Sequence, residues 1–442
     1  MIRRVLFLLL ISVSTYAQDT LAVIERKYRP TYANAFFRGD TVLLELLNET
    51  AQTGRIHHTA GWYYHGKKIA NVNVGPLRST LLGFQKNGDT TYYYGYDDQG
   101  KRSSIMILSS IGFDSTKVVA SYEIEGNVLG SIEDNGKFSA VSFNRKKKTA
   151  YVYDLQAGRM SEAGALTLPW NIESVPNKEI VFVSPLLSNM SGEGLKFFLH
   201  QGTLSAVFDD RFQPIGETKV SQRTLVIRKD LTTGKVEADG FRMEEHGPFI
   251  SHINGNFLYR LTPRDELIVQ NLDSNKVTYR VKLADITQTE VYRTDNSSTQ
   301  IKKATNEERL FDRNHSLRVA IGLDNFGDQK VLTLIYLVEE KKGFPLFAPV
   351  SIGGVPLLVG GRAVSYYSSY EYLIGTPATG FRPVSENLGF PKMLADNYNL
   401  TNTRKGVYDY VSYSVAENCL IGTYGIAKSP VILFIKFQES HD

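Results

Sequence analysis

A single cysteine, Cys419, stands in 442 residues, so no intramolecular disulfide can brace the fold. It lies in the apolar run Cys419-Leu420-Ile421, where a buried, inert thiol is expected. Tryptophan is nearly as scarce, with two in the chain. After residue 17 no apolar run approaches the roughly 20 residues that a membrane-spanning helix needs. Strong charge of one sign is also missing: 50 Lys and Arg against 46 Asp and Glu leave a formal net charge of +4. The densest basic run, Arg145-Lys146-Lys147-Lys148, reads as a solvated hairpin tip, which argues against nucleic acid as a partner. There is no G-x-S-x-G elbow, no H-E-x-x-H and no phosphate-cradling P-loop. Amphipathic helical spacing is scarce, and only Leu21 to Tyr28 and Thr305 to Phe311 could hold a short helix.

What is present begins at the N-terminus. Arg3 and Arg4 precede an unbroken apolar run from Val5 to Val13, then small and polar residues lead to Thr15-Tyr16-Ala17. That is the order of a secretory signal peptide of the general route, with cleavage expected after Ala17. The start resembles a bacterial export signal. No cysteine stands at the cut, so the mature N-terminus is not expected to carry a lipid. Losing Arg3 and Arg4 takes the formal charge from +4 to about +2. We expect residues 1–17 to be cleaved, 18–39 to form a lead-in segment, and 40–442 to form one domain in the periplasm or beyond.

Most of that domain reads as short strands closed by tight turns. Thr149 to Leu155, Thr224 to Leu231 and Glu266 to Leu272 are rich in β-branched and aromatic residues. Turns follow at Gln156-Ala157-Gly158, Thr232-Thr233-Gly234 and Asp273-Ser274-Asn275, with others at Asn87-Gly88, Asn135-Gly136, Gln201-Gly202 and Asn254-Gly255. The clearest unit runs Val128 to Asp134, turn, Lys137 to Phe143, basic loop, Thr149 to Leu155, turn, strand. Phe249 to Lys282 repeats it.

This unit resembles a four-stranded antiparallel blade of a β-propeller, and the resemblance covers residues from about 80 to 285. No WD dipeptide, Kelch double glycine or Asp-box narrows it to a subfamily. Equivalent outer turns near Gly100, Gly158, Pro214, Asn275 and Lys342 lie 58, 56, 61 and 67 residues apart. An all-β propeller of six to eight blades follows, with seven the expected number. Two β-sandwich domains are the alternative, though no linker shows. Residues 288–313 are polar enough for a loop or short-helix insertion, and closure is expected to pair Val42–Leu47 with Val431–Phe437.

Histidine supplies the first site candidates. A hairpin centred on Gly61 would bring His57 and His65 to one face as two metal ligands, although zinc needs a third donor, and hydrogen-bonded cross-strand histidines explain the pattern as well. His246 and His252 stand near Glu244 and Glu245, which could form an acid–base or metal cluster on an inter-strand loop. Asp324 and Asp328 weakly suggest a calcium loop. Asp97-Asp98 and Asp209-Asp210 read as turn caps. Tyrosine numbers 25, and Trp62, Tyr63, Tyr92, Tyr94, Tyr366 and Tyr370 are candidates for stacking on sugars or on a protein, against ordinary packing between blades. No cofactor is implied. Two functions follow: a non-enzymatic binding or scaffold protein for a protein or glycan of the cell envelope, or a propeller hydrolase or lyase with a His/Glu site.

Overall fold

A computed structural model describes residues 18–436, apart from 171–179, 184–193, 213–220, 244–249, 304–315, 384–406 and shorter connections. Near both chain ends and over 337–370, the description is of the backbone. The described residues are all-β, apart from one 3-10 turn at Leu283–Asp285. Sheet one comprises Tyr28–Arg38, Thr41–Thr50, Ile56–Tyr64 and Lys67–Val72; sheet two comprises Leu81–Asn87, Thr90–Asp98, Ser103–Ile111 and Lys117–Ile124. Sheet three comprises Asn127–Asp134, Lys137–Asn144, Thr149–Gln156 and Arg159–Thr167. Sheet four has five strands: Ile180–Phe182, Leu195–His200, Thr203–Phe212, Ser221–Asp230 and Val236–Met243. Its first pair runs parallel. Sheet five comprises Ile250–Asn254, Phe257–Leu261, Glu266–Asn271 and Lys276–Lys282.

Sheet six is built on the long hairpin Gln329–Ile352 and Val355–Thr376. It adds Ser316–Phe326, Val291–Asp295, Ile301–Lys303 and Gly380–Pro383. Sheet seven unites Val407–Ser414, Cys419–Ile426 and Ser429–Lys436 with Gln18–Val23 from the other end of the chain.

The expected turns are where the hairpins bend, and left-handed backbone marks them. Gly88, Gly136, Gly202, Gly234 and Gly255 have φ between +57° and +74°, and Asn275 has φ 55°. Glycine meets that geometry without the steric cost that a Cβ would bring. The basic run 145–148 is the turn between two strands of sheet three, with Lys147 ion-paired to Glu125 at 2.9 Å.

Alternation along the middle strands explains how the sheets stack. In Lys137–Asn144, Phe138 and Ala140 pack with Tyr94 and Ile105 of sheet two, while Val141 and Phe143 pack with Leu195 and Phe197 of sheet four. Both faces of the strand are therefore covered, and it is buried nearly throughout. Each of the larger of these side chains taken from water contributes roughly 1.5–3 kcal/mol before conformational entropy is counted. The same logic links sheets one and two through Leu43, Trp62, Leu81 and Tyr93, sheets four and five through Val207 and Leu258, and sheets five and six through Tyr259 and Leu334. Sheet seven meets sheet one where Val407–Ser414 lies against Tyr28–Arg38. Each of sheets one to five thus packs on the next in chain order.

Several elements differ from the sequence reading. Thr41–Thr50 pairs within sheet one, and the strand that joins the C-terminal Val431–Ile435 is Gln18–Val23. The region read as a lead-in therefore supplies strands, and Leu21 to Val23 is extended where a helix was considered. The other helix candidate, Thr305 to Phe311, lies outside the described residues. Within the polar stretch 288–313, the described residues Val291–Asp295 and Ile301–Lys303 are strands. Lys342 does not mark an outer turn. It lies inside the long hairpin opposite Ala363, and the hairpin's strands pair out to Ile352 opposite Val355.

Candidate functional site

Gly61, expected at a hairpin tip, is in mid-strand, opposite Leu44 on one side and Asn71 on the other. His57 lies opposite Asn48, and His65 is outside the described residues, so the proposed two-histidine face is not formed around Gly61. The chemistry belongs to the neighbour. His58 stands opposite Leu47 and Glu45 opposite Ala60, so the two are a diagonal pair on one face of sheet one. His58 Nε2 lies 2.6 Å from Glu45 Oε1, and the same oxygen accepts the Leu81 backbone N–H at 2.6 Å. Leu81 opens sheet two, so one buried carboxylate ties two sheets and an imidazole together. Glu45 is fully buried and the His58 side chain is 9% exposed. The carboxylate orients the ring, and the buried His58 Nδ1 has no hydrogen-bond partner among the described residues. General bases and metal ligands share a carboxylate-oriented histidine, but the second ring nitrogen here is itself buried. Sequence reading passed over it because Glu45 and His58 are thirteen residues apart on different strands.

A second buried cluster joins sheets four and five. Lys196 is completely buried, and its Nζ donates to Asp209 Oδ2 at 2.5 Å and to the Ser251 carbonyl at 2.8 Å. Asp209 also accepts from Ser251 N at 3.0 Å, from Thr224 Oγ1 at 3.0 Å and from Ser251 Oγ. The expectation of a turn cap at Asp209 is corrected: it is a mid-strand carboxylate within Thr203–Phe212, opposite Thr224. Burying a charge this deeply requires a partner and several hydrogen bonds, and all are supplied here. Nearby Arg260 lies over the Phe241 ring, 4.9 Å from its centroid, and donates to Gln270 Oε1 at 3.1 Å. Burial lowers its pKa to about 10.

His252 borders this cluster. It is buried edge-on against Phe198 with ring centroids 5.0 Å apart. Burial, with the Lys196 charge adding to it, depresses its pKa to about 3. It is a neutral core histidine, whereas Glu244, Glu245 and His246 lie outside the described residues.

Trp62, Tyr63 and Tyr94 are buried, so their rings pack inside the protein and offer no outward face. Trp62 Nε1 donates to Tyr93 Oη at 2.9 Å, and Tyr94 donates to Gln85 at 3.1 Å while stacking on Phe138. Burial raises the Tyr94 pKa to about 12. Tyr92 is partly buried and abuts Gly158, where an added Cβ would come within 2.5 Å of its ring. Tyr366 and Tyr370 lie on the long hairpin opposite Glu339 and Ile335. Asp324 pairs with Val331 at the base of a hairpin, and Asp328 is exposed at its turn. Among the described residues, no three of His, Cys, Asp and Glu converge as a metal centre requires. No helix among them is long and apolar enough to cross a membrane.

Neither a protein-family model nor a curated protein matches the chain.

Proposed function

We propose that the chain is an exported β-propeller of seven blades, acting as a non-enzymatic binding or scaffold protein for a protein or glycan of the cell envelope. The propeller reading is supported by sheets that pack in chain order and by chain ends that share sheet seven. One observation carries the binding reading. In sheets one, two, four and five, large apolar residues stand exposed on the last strand: Ile69, Val118 with Val119, Val236 and Val277, each 43% to 53% accessible. Last strands are open edges, and apolar side chains there cost solubility unless a partner covers them. The ionisable cluster at Lys196, by contrast, engages its polar groups in joining two sheets, which leaves the rim as the working surface.

The test is a thermal-shift panel of envelope saccharides on the chain beginning at Gln18, run beside turnover assays on ester, lactone and glycoside substrates. A ligand at 100 times its dissociation constant adds about 2.7 kcal/mol, a readable shift. Binding without turnover is the expected result. Turnover would overturn the reading.

The catalytic alternative, a hydrolase or lyase, has one observation in its favour: His58, oriented by Glu45, has a buried Nδ1 with no partner among the described residues. In that case His58→Asn would abolish turnover, whereas Val119→Ser would leave it intact.

A further inference from the structure

The hairpin of sheet six outruns its neighbours. Ser316–Phe326 accompanies Gln329–Ile352 only as far as Val338, and Val291–Asp295 accompanies Val355–Thr376 only from Tyr367 to Glu371. Beyond these points the two long strands pair with each other, out to Ile352 opposite Val355, and among the described residues no third strand joins them. The outer part is thus a two-stranded ribbon, a form that is marginal in water by itself.

The sequence of the ribbon is ordered along its length. Glu339 and Glu340 come first, then Lys341 and Lys342, with Arg362 returning on the other strand opposite Gly343. From Gly343 to Gly361 the chain carries no charged residue, its longest uncharged run. Apolar residues there occupy successive positions, as in Phe344-Pro345-Leu346-Phe347 and Val355-Pro356-Leu357-Leu358-Val359, rather than alternate ones. A ribbon resting one face on the protein and wetting the other would alternate. An apolar tip collared by three cations matches a surface that is apolar inside and anionic outside.

We propose that the tip of this ribbon, residues 343–352 and 355–361, docks into the interface of an anionic lipid bilayer, with Lys341, Lys342 and Arg362 at the headgroup phosphates. This goes beyond the binding reading and uses a different element from the apolar rim. The backbone limits the depth. The outer edges of a lone ribbon have no strand partner, and the hydrocarbon core offers no water to satisfy them. The ribbon therefore stops at the headgroup boundary, where interfacial segments gain from apolar burial and from attraction to anionic lipid. Pro345, Pro349 and Pro356 each remove an N–H that would otherwise need a partner there.

The experiment is vesicle flotation of the chain beginning at Gln18, using phosphatidylcholine vesicles with and without about a third phosphatidylglycerol. Cationic residues near an anionic surface each contribute measurably, so K341E/K342E/R362E is expected to weaken binding to the anionic vesicles at least about tenfold. F344D/F347D is expected to abolish it, and Phe347→Trp is expected to blue-shift in emission on the same vesicles. Circular dichroism and melting temperature, unchanged in the variants, separate lost docking from lost folding. Binding that is equal for both vesicle types, or unaffected by the charge reversals, overturns the proposal. So does a wild-type dimer that F344D/F347D dissociates, which would assign the tip to a second copy of the chain. The saccharide panel run on F344D/F347D keeps the two readings apart, because the rim is untouched in that variant.

Discussion

Lys196 and Asp209 set the terms at the scale of single residues. A lysine with no exposed surface is held by one carboxylate and one carbonyl, so removing either charge strands the other in a low-dielectric interior. Lys196→Met or Asp209→Asn is predicted to cost about 3–5 kcal/mol in urea unfolding. Lys196→Met with Asp209→Leu should cost less than the sum of the two single changes, because no orphan charge then remains. His252 gives a pH signature. The native ring takes up a proton only near its depressed value of about 3, while the unfolded chain takes one near 6.5. Between those values the unfolded state binds more protons, so stability rises with pH and is complete above 6.5. Acidification through the window should remove up to about 1.4 kcal/mol per pH unit on this residue's account. His252→Gln should flatten that part of the profile, as read from urea midpoints at pH 7, 5 and 4. Gly158 has φ +80° and faces Tyr92. Gly158→Ala is predicted to destabilise by about 1–3 kcal/mol through left-handed strain and the clash, measured by thermal unfolding.

At the scale of elements, legibility followed locality. The hairpins of sheets three and five could be read from the sequence because a turn's φ requirement and a strand's alternation are both written within about ten residues. Gly136 and Asn254-Gly255 stand at the turns where they were expected. Pairings that depend on distant strands left no such trace. Gly61 looked like a turn glycine, yet it lies between two strands that fix it in mid-sheet, where an added Cβ would meet Lys68 and the Ala70 carbonyl. Asp209 looked like a cap because its lysine is on the preceding strand and its serine on the next sheet. The Glu45–His58 pair was hidden for the same reason. In sheet six the same limit applied: Lys342 was expected near an outer turn, and the length of the paired strands around it left no local mark. A deletion closing the ribbon at Val338 and Tyr367 should keep the melting temperature within a few degrees and, on our proposal, remove vesicle binding.

The whole molecule depends on how its ends meet. Sheets one to six follow the chain, and each hydrophobic cluster between neighbours is local in sequence, so these contacts alone would suit an open stack as well as a ring. The strand that distinguishes the two is Gln18–Val23, which carries the N-terminal segment into the C-terminal sheet. In the closed ring we propose, this pairing would leave no free end strand between the first and last sheets and would make stability depend on both termini. The most direct test is a disulfide between positions 22 and 432, which are register partners: Ala22→Cys and Ile432→Cys in a Cys419→Ser background, with Val141→Cys and Val152→Cys as an internal control pair. A closed ring predicts an intramolecular cross-link under mild oxidation and a higher melting temperature than the reduced form, since a loop this long constrains the unfolded chain strongly. A control pair that links while positions 22 and 432 stay reduced would contradict the closed ring.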